Sequence, residues 1–364
     1  MTPVRLLFVL TSPVHGGVEE VVLALLRRLD PGEFRLAVAA PGPLLDAFSA
    51  GLAGVRVDAE AIAADTRGGL ARLAGFTRRF RPDVVNPHLF RSTAVAAPLA
   101  RWHGARVVET YHGREGWRRG FLADRLVGRL VDRVIAVSEA ARAFLIRGKG
   151  YPAAKITVVP NGRDLAVFRP GSARAAARKE LGLDRTAPTV GVVGRLEPQK
   201  GHAYLLDAWP AVMREFPDAR LLLVGDGGLR GALRAQARAR GVADSVIFAG
   251  FRADVPRMLD ALDILCLPSL YEGMPLTAIE GAAMALPIVA TAVDGTPEVV
   301  REGRTGRLVP PADPPALARA LLDLLRDPDG ARRMGQAARD RACLRFDLDR
   351  QVAATARVYR SVAR

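Results

Sequence analysis

The chain is expected to fold as an α/β protein of two doubly wound halves, and three observations lead there. Short runs dense in Val, Ile and Leu alternate with helical stretches twice over. Such near-continuous apolar runs, separated by helices, mark parallel strands buried on both faces. The length of 364 residues also exceeds what one core ordinarily serves, so the two series read as two domains.

In order, the first series is VRLLFVL (4–10), FRLAVAA (34–40), DVVNPH (83–88), ARVVETYH (105–112), RVIAVS (133–138) and KITVVPN (155–161). The second is TVGVVG (189–194), RLLLVGDG (220–227), SVIFAG (245–250), ILCLPS (264–269) and PIVATAV (287–293). Between them, Phe168 to Ala187 carries proline and glycine without a strand pattern. The expected domains are therefore 1–168 and 169–347.

Composition narrows the function classes. No stretch approaches the roughly twenty apolar residues that span a bilayer, and MTPVRLLFVLTSP runs straight into a strand pattern, so a cytoplasmic protein is expected. Cys266 and Cys343 are the only cysteines, which indicates neither a disulfide framework nor a metal cluster. The net charge of +15 rests on arginine, and residues 1–170 carry +10 of it, from 25 Lys/Arg against 15 Asp/Glu. Codon bias accounts for that as well as a polyanionic partner does. No aromatic RNA platform, zinc signature or helix-turn-helix accompanies it, so nucleic acid is not the expected partner.

The most informative segment is SLYEGMPLTAIEGAAMALP, in which Glu272 and Glu280 straddle a helix start just after a strand. Pro275 suits a first helical turn, which needs no N–H there. The backbone around Gly273, Met274, Leu276 and Thr277 then offers free N–H groups as an anion seat, with a carboxylate on either side for hydroxyls. By spacing alone, a solvated helix with two surface glutamates serves equally. In GVVGRLEPQKG (191–201), Arg195 and Lys200 follow a strand's carboxyl end, where open α/β sheets bind ligands, so they can clamp a diphosphate or form an ordinary charged loop. Gly16 and Gly17, between a strand and a helix, suit a tight turn or a close approach to a ligand. VGDGGLRGAL (224–233) matches a dinucleotide fingerprint poorly, its last glycine standing at 231. His112 and His88 end apolar strands and line a ligand face or serve structure. The five histidines have no metal-ligand spacing, and no Asp-x-Asp loop stands at a strand end, so no metal and no cofactor are expected.

Taken in order, HGGVEE (15–20), TYHG (110–113), VSEA (137–140), VVPNGRD (158–164), GRLEPQKG (194–201), VGDGGLR (224–230), AGF (249–251) and EGMPLTAIE (272–280) resemble the GT-B type retaining glycosyltransferases of glycosyltransferase family 4. The motifs span nearly the whole chain. The resemblance implies two Rossmann-like domains facing a cleft, with a final helix (348–364) crossing back to the first. It implies a nucleotide-sugar donor, UDP first and GDP second. Arg195 and Lys200 would hold the diphosphate, Glu280 the ribose hydroxyls and Glu272 the transferred sugar. The backbone near Gly250, Phe251 and Arg252 would face the base, and His112 would contact the sugar. The family commonly has a second glycine where this chain has Asp294 in VDGTPE, which puts that loop's shape in question. A hinge near 161–170 is expected. A GT-B epimerase and a non-catalytic binding relative are the alternatives.

The acceptor is expected to be a glycan, a lipid-linked sugar or a small molecule. REGWRRGFLADRLVGRLVDR (114–133) interleaves arginines with Trp117, Phe121, Leu122, Leu126 and Leu130 as a basic amphipathic helix. Such a helix can lie on an anionic membrane, which would place the protein at the membrane's inner face with Trp117, Arg118 and Arg119 near the acceptor. It can equally be a core-facing helix with a solvated arginine face.

Overall fold

The computed structural model describes residues 2–13, 16–64, 66–113 and 121–363, with residues 121–123 described in backbone only. The chain divides into unit one, Met1–Asn161 with Leu348–Arg364, and unit two, Gly162–Asp347.

Unit one holds a seven-stranded sheet of β1 (Val4–Val9), β2 (Phe34–Ala40), β3 (Val57–Ala61), β4 (Val84–Pro87), β5 (Arg106–Tyr111), β6 (Arg133–Ala136) and β7 (Ile156–Val158). The order is β3-β2-β1-β4-β5-β6-β7, every pair parallel. Unit two holds a six-stranded sheet of β8 (Thr189–Val193), β9 (Arg220–Val224), β10 (Val246–Gly250), β11 (Ile264–Leu267), β12 (Ile288–Thr291) and β13 (Gly306–Val309). Its order is β10-β9-β8-β11-β12-β13, again all parallel. In each sheet the chain leaves the central first strand in one direction, then returns and builds in the other. The strand order reverses between β1 and β4 and between β8 and β11, so a crevice opens there at the carboxyl ends.

Most strands anticipated from apolar runs are largely buried, β8 along its whole length, while β7 and β10, also anticipated, are only partly buried. Two strands carry no such signal, β3 and β13, and both are sheet edges. VDAEA in β3 is mostly exposed or half-buried, because a strand with one neighbour need not be apolar on both faces. The unit two core is centred on Trp209, fully buried, with its indole N–H satisfied by Ser245 Oγ at 2.9 Å.

The boundary falls at Asn161/Gly162, earlier than the expected 168/169. Residues 162–168 fasten onto unit two: Arg163 N–H donates to the Phe346 carbonyl at 2.9 Å, and Arg339 donates to the Phe168 carbonyl at 3.2 Å. The final helix, Leu348–Val362, belongs to unit one, where Tyr359 is fully buried with its ring edge-on to Phe8 and Phe34.

Of the amphipathic segment, Phe121–Leu130 is helical, and Trp117, Arg118 and Arg119 lie outside the described residues. One face is docked: a Cβ at Gly128 would come within 3.0 Å of the Tyr151 ring, and Lys149 pairs with Asp124 at 3.4 Å. Leu126, 54% exposed, is on the free side. Among the described residues no helix is long and apolar enough to cross a membrane.

Candidate active site

In unit two the loop after β8 carries Arg195 and Lys200 and is clamped from both sides. Gly194 N–H donates to Val224 O and Leu196 N–H to Asp226 O, each at 2.9 Å. The VGDGG glycines make this approach feasible. Gly225 has φ +136°, and a Cβ there would fall 2.0 Å from the Gly194 carbonyl oxygen. These glycines therefore bring two loops together and do not form a dinucleotide fingerprint. At the other end of the loop Gly201 has φ +65°, and a Cβ would fall 1.9 Å from Pro268 O. That contact brings Lys200 against the end of β11.

There Lys200 Nζ meets Glu272 Oε1 at 2.6 Å, and Ser269 Oγ donates to the same oxygen at 2.8 Å. Glu272 is only 6% exposed, so an unpaired charge would be costly and the pair fixes both side chains. Its backbone is held as well, because Glu272 N–H donates to Asp294 Oδ2 at 3.0 Å. Asp294 has φ +40° and so occupies the left-handed conformation that its glycine-like place in the turn demands.

Glu280 lies inside the helix Leu276–Ala283, 6% exposed, with Arg163 Nε 2.8 Å from its Oε1. Pro275 is the residue capping this helix and not its first turn. The N–H groups of Leu276 and Thr277 make no hydrogen bond among the described residues. Arg195 is exposed and makes no ion pair among them either. Free N–H groups and a free guanidinium at one sheet's carboxyl end suit an anion.

Gly250 ends β10 with φ +70°, beside a register shift, and Phe251 next to it is 78% exposed. The Arg252 side chain is engaged, donating to both Asp254 oxygens at 2.8 and 2.7 Å and to Glu180 at 2.7 Å. Those bonds push its pKa up and occupy the guanidinium.

In unit one Gly16 caps the helix Gly17–Arg28 in extended conformation, φ −155°, so the turn itself does not demand glycine. Its neighbours Val14 and His15 lie outside the described residues. His88, fully buried, and His112 sit at the ends of β4 and β5, linked Nδ1 to Nε2 at 2.8 Å with rings stacked at 5.0 Å. His88 Nε2 bonds Asn86 Oδ1 at 2.9 Å, and Tyr359 O–H donates to that same oxygen at 2.7 Å. Burial lowers the His112 pKa to about 3, and burial together with His112 holds His88 well below its ordinary value, so both rings are neutral.

Sequence reasoning missed Arg163, Asn86 and Tyr359 as parts of these arrangements. Arg163 and Asn86 stand inside the motifs VVPNGRD and DVVNPH, which were their only sign; Tyr359 had none.

Residues 187–327 match the model of the glycosyl transferases group 1 family, and residues 15–167 match that of glycosyltransferase family 4. The chain is 33% identical to a D-inositol 3-phosphate glycosyltransferase of Streptomyces scabiei, over 98% of this chain and 90% of that protein. It is 36% identical to a GDP-mannose-dependent alpha-(1-6)-phosphatidylinositol monomannoside mannosyltransferase of Mycolicibacterium smegmatis, over 68% of each. Among solved structures, Anabaena HepE in complex with UDP-glucose superimposes with a TM-score of 0.86, at 24% identity over 98% of this chain and 99% of that one. Sucrose-phosphate synthase of Thermosynechococcus elongatus does so with a TM-score of 0.84, at 23% identity over 99% of each. The last two likenesses show the fold.

Proposed function

Since the chain belongs to the group 1 glycosyl transferases of glycosyltransferase family 4, a glycosyl-transferring enzyme of GT-B architecture, we propose that it moves a sugar from a nucleoside diphosphate sugar to an acceptor hydroxyl, with retention and without a metal. The observation that carries this reading is the end of the β8/β11 crevice. There Arg195, unpaired among the described residues, the Lys200–Glu272 pair and the N–H groups of Leu276 and Thr277, free among the described residues, stand at one sheet's carboxyl edge.

Transfer breaks the bond between the anomeric carbon and the β-phosphate oxygen, so negative charge grows on the diphosphate while the sugar becomes oxocarbenium-like. Arg195, Lys200 and the helix start would stabilise the departing diphosphate by charges already in place. The acceptor hydroxyl would attack the same face, and its proton would pass to the phosphate oxygen that takes the bonding electrons. The products balance as glycoside and nucleoside diphosphate. Glu272 would hold hydroxyls of the transferred sugar, His112 a further one, and Glu280, oriented by Arg163, those of the ribose. Backbone at Gly250, Phe251 and Arg252 would face the base, and Gly16 and Gly17 the diphosphate or the acceptor.

UDP is the first donor choice, supported by the nucleotide named for the HepE structure, and GDP the second, supported by the mannosyltransferase. The names of the relatives favour a polyol phosphate or its lipid-linked form as acceptor, with a glycan next. Association with the inner face of a membrane through the Phe121–Leu130 helix belongs to the same reading. Calorimetry with UDP, GDP and ADP in the presence of a chelator tests the core of it. One nucleotide should bind at micromolar Kd and bind at least tenfold more weakly to Arg195→Ala. No nucleotide binding in any condition would overturn it.

A further inference from the structure

The two histidines at the ends of β4 and β5 form the last links of a hydrogen-bonded chain whose direction can be traced. It begins at the Val108 carbonyl, which can only accept. Asn86 Nδ2 donates to that carbonyl and to Thr110 Oγ1 at 3.0 Å, so the amide's oxygen faces the other way. Asn86 Oδ1 then accepts from Tyr359 O–H and stands 2.9 Å from His88 Nε2. An amide oxygen cannot donate, so His88 carries its hydrogen on Nε2. In a neutral His88 the Nδ1 lone pair then faces His112 at 2.8 Å, and His112 must supply the hydrogen from Nε2.

We infer that His88 is a positioning residue which, with Asn86 and Tyr359, holds His112 in the neutral form protonated on Nε2, so that His112 Nδ1 is presented as an acceptor to a hydroxyl of the ligand. Only the naming of that hydroxyl as one of the transferred sugar rests on the proposed function. His112 Nδ1 has no partner among the described residues, and His112 is half-buried where His88 is fully buried.

The opposite polarity fails in two places at once. A hydrogen on His112 Nδ1 would need His88 to donate from its own Nδ1, leaving the His88 Nε2 lone pair against the Asn86 oxygen. Turning the Asn86 amide to relieve that contact would set its oxygen against the Val108 carbonyl. In the arrangement observed both amide hydrogens of Asn86 are given, and its Oδ1 is met by Tyr359 O–H and His88 Nε2, with Thr110 Oγ1 a longer third contact at 3.4 Å, so the Val108 carbonyl is what fixes the amide's orientation. The anchor is tertiary, because Tyr359 reaches Asn86 from the far end of the chain.

The consequence is chemical. A neutral acceptor nitrogen can orient a sugar hydroxyl without adding positive charge beside an anomeric carbon that becomes cationic as the leaving group departs.

The test is imidazole 15N NMR on histidine-labelled protein at pH 7 with no nucleotide added. The His112 Nε2 resonance should be of the protonated type and Nδ1 of the unprotonated type, with His88 showing the same pattern. A protonated Nδ1 on His112, or a pair of tautomers in exchange, overturns the inference whether or not any nucleotide binds. In the His88→Phe variant the His112 signals should move to averaged values, and kcat/KM should fall about tenfold, the worth of one such hydrogen bond. His88→Gln, which can both donate and accept, should recover most of that loss. A His88→Phe protein with unchanged His112 signals and pH profile also overturns it. If that variant does not fold, the wild-type spectrum alone decides.

Discussion

The backbone N–H of Glu272 donates to the carboxylate of Asp294 at 3.0 Å, and Asp294 makes that bond from a left-handed backbone with φ +40°. An aspartate thus fills a turn position with a left-handed backbone, tying the end of β12 to the loop that carries a candidate sugar-binding carboxylate. Asp294→Gly removes the acceptor while relaxing the backbone, two changes of about 1 kcal/mol in opposite senses, so thermal unfolding should barely move. The loosened Glu272 should show in kcat/KM, which is expected to drop about tenfold. Asp294→Ala keeps the strain and loses the bond, so it should unfold earlier by about 1–2 kcal/mol.

Arg195 and Lys200 stand in different surroundings and should fail differently. Arg195 is exposed and makes no ion pair among the described residues. Arg195→Ala should cost about 10²–10³ in kcat/KM and leave the unfolding midpoint unchanged. Lys200 pairs with a buried carboxylate at 2.6 Å, so Lys200→Ala should lose both activity and about 3 kcal/mol of stability. Steady-state kinetics beside denaturant titration separates the two outcomes; equal stability losses would contradict the pairing.

Glu280 and Arg163 face each other at 2.8 Å inside unit two. If Arg163 orients Glu280 for ribose hydroxyls, Glu280→Gln should weaken nucleotide binding about tenfold, and its effect should shrink for a 2′-deoxynucleotide. Calorimetry with the two nucleotides reads the difference. A Glu280→Gln penalty of equal size for both would assign the carboxylate to structure alone.

Acid should destabilise this protein above the range in which carboxylates protonate. Burial lowers His112 to about 3, and burial with Lys200 nearby lowers His202 to about 4, against about 6.5 in an unfolded chain. The unfolded state therefore binds more protons between these values. Stability from the two neutral rings is full above pH 6.5 and is lost as pH falls toward 4 and 3, by at most about 1.4 kcal/mol per pH unit for each ring. Both nitrogens of His202 are buried without a hydrogen-bond partner among the described residues, so His202→Leu should flatten the slope between pH 6.5 and 4 at little cost at pH 8. Urea titrations across that range check the slope.

Arg178 offers a stability test away from the site. Its guanidinium, 2% exposed, donates to the carbonyls of Asp184, Ala187 and Ala261. Arg178→Ala strands these acceptors and should cost about 3 kcal/mol or more in denaturant unfolding.

The amino-acid sequence by itself determined which segments became the central strands, where loops follow their carboxyl ends and which residues those loops carry. These features are local, since a strand buried on both faces must be apolar along its length and a loop that approaches another backbone closely needs glycine at a fixed place. β3 and β13 left no trace because VDAEA and GRLV carry no dense apolar run, whereas the other two edge strands, β7 and β10, do. What only the tertiary structure decided is who meets whom. Glu272 and Glu280 stood out in one motif, yet the cations beside them come from separate places, Lys200 in the β8 loop and Arg163 at the head of unit two. Asn86 and Tyr359, 273 residues apart, orient a pair of histidines that a linear reading could only set side by side. Hydrogen-bond direction and the neutrality of a buried ring depend on every neighbour that packing supplies, and no spacing along the chain encodes that.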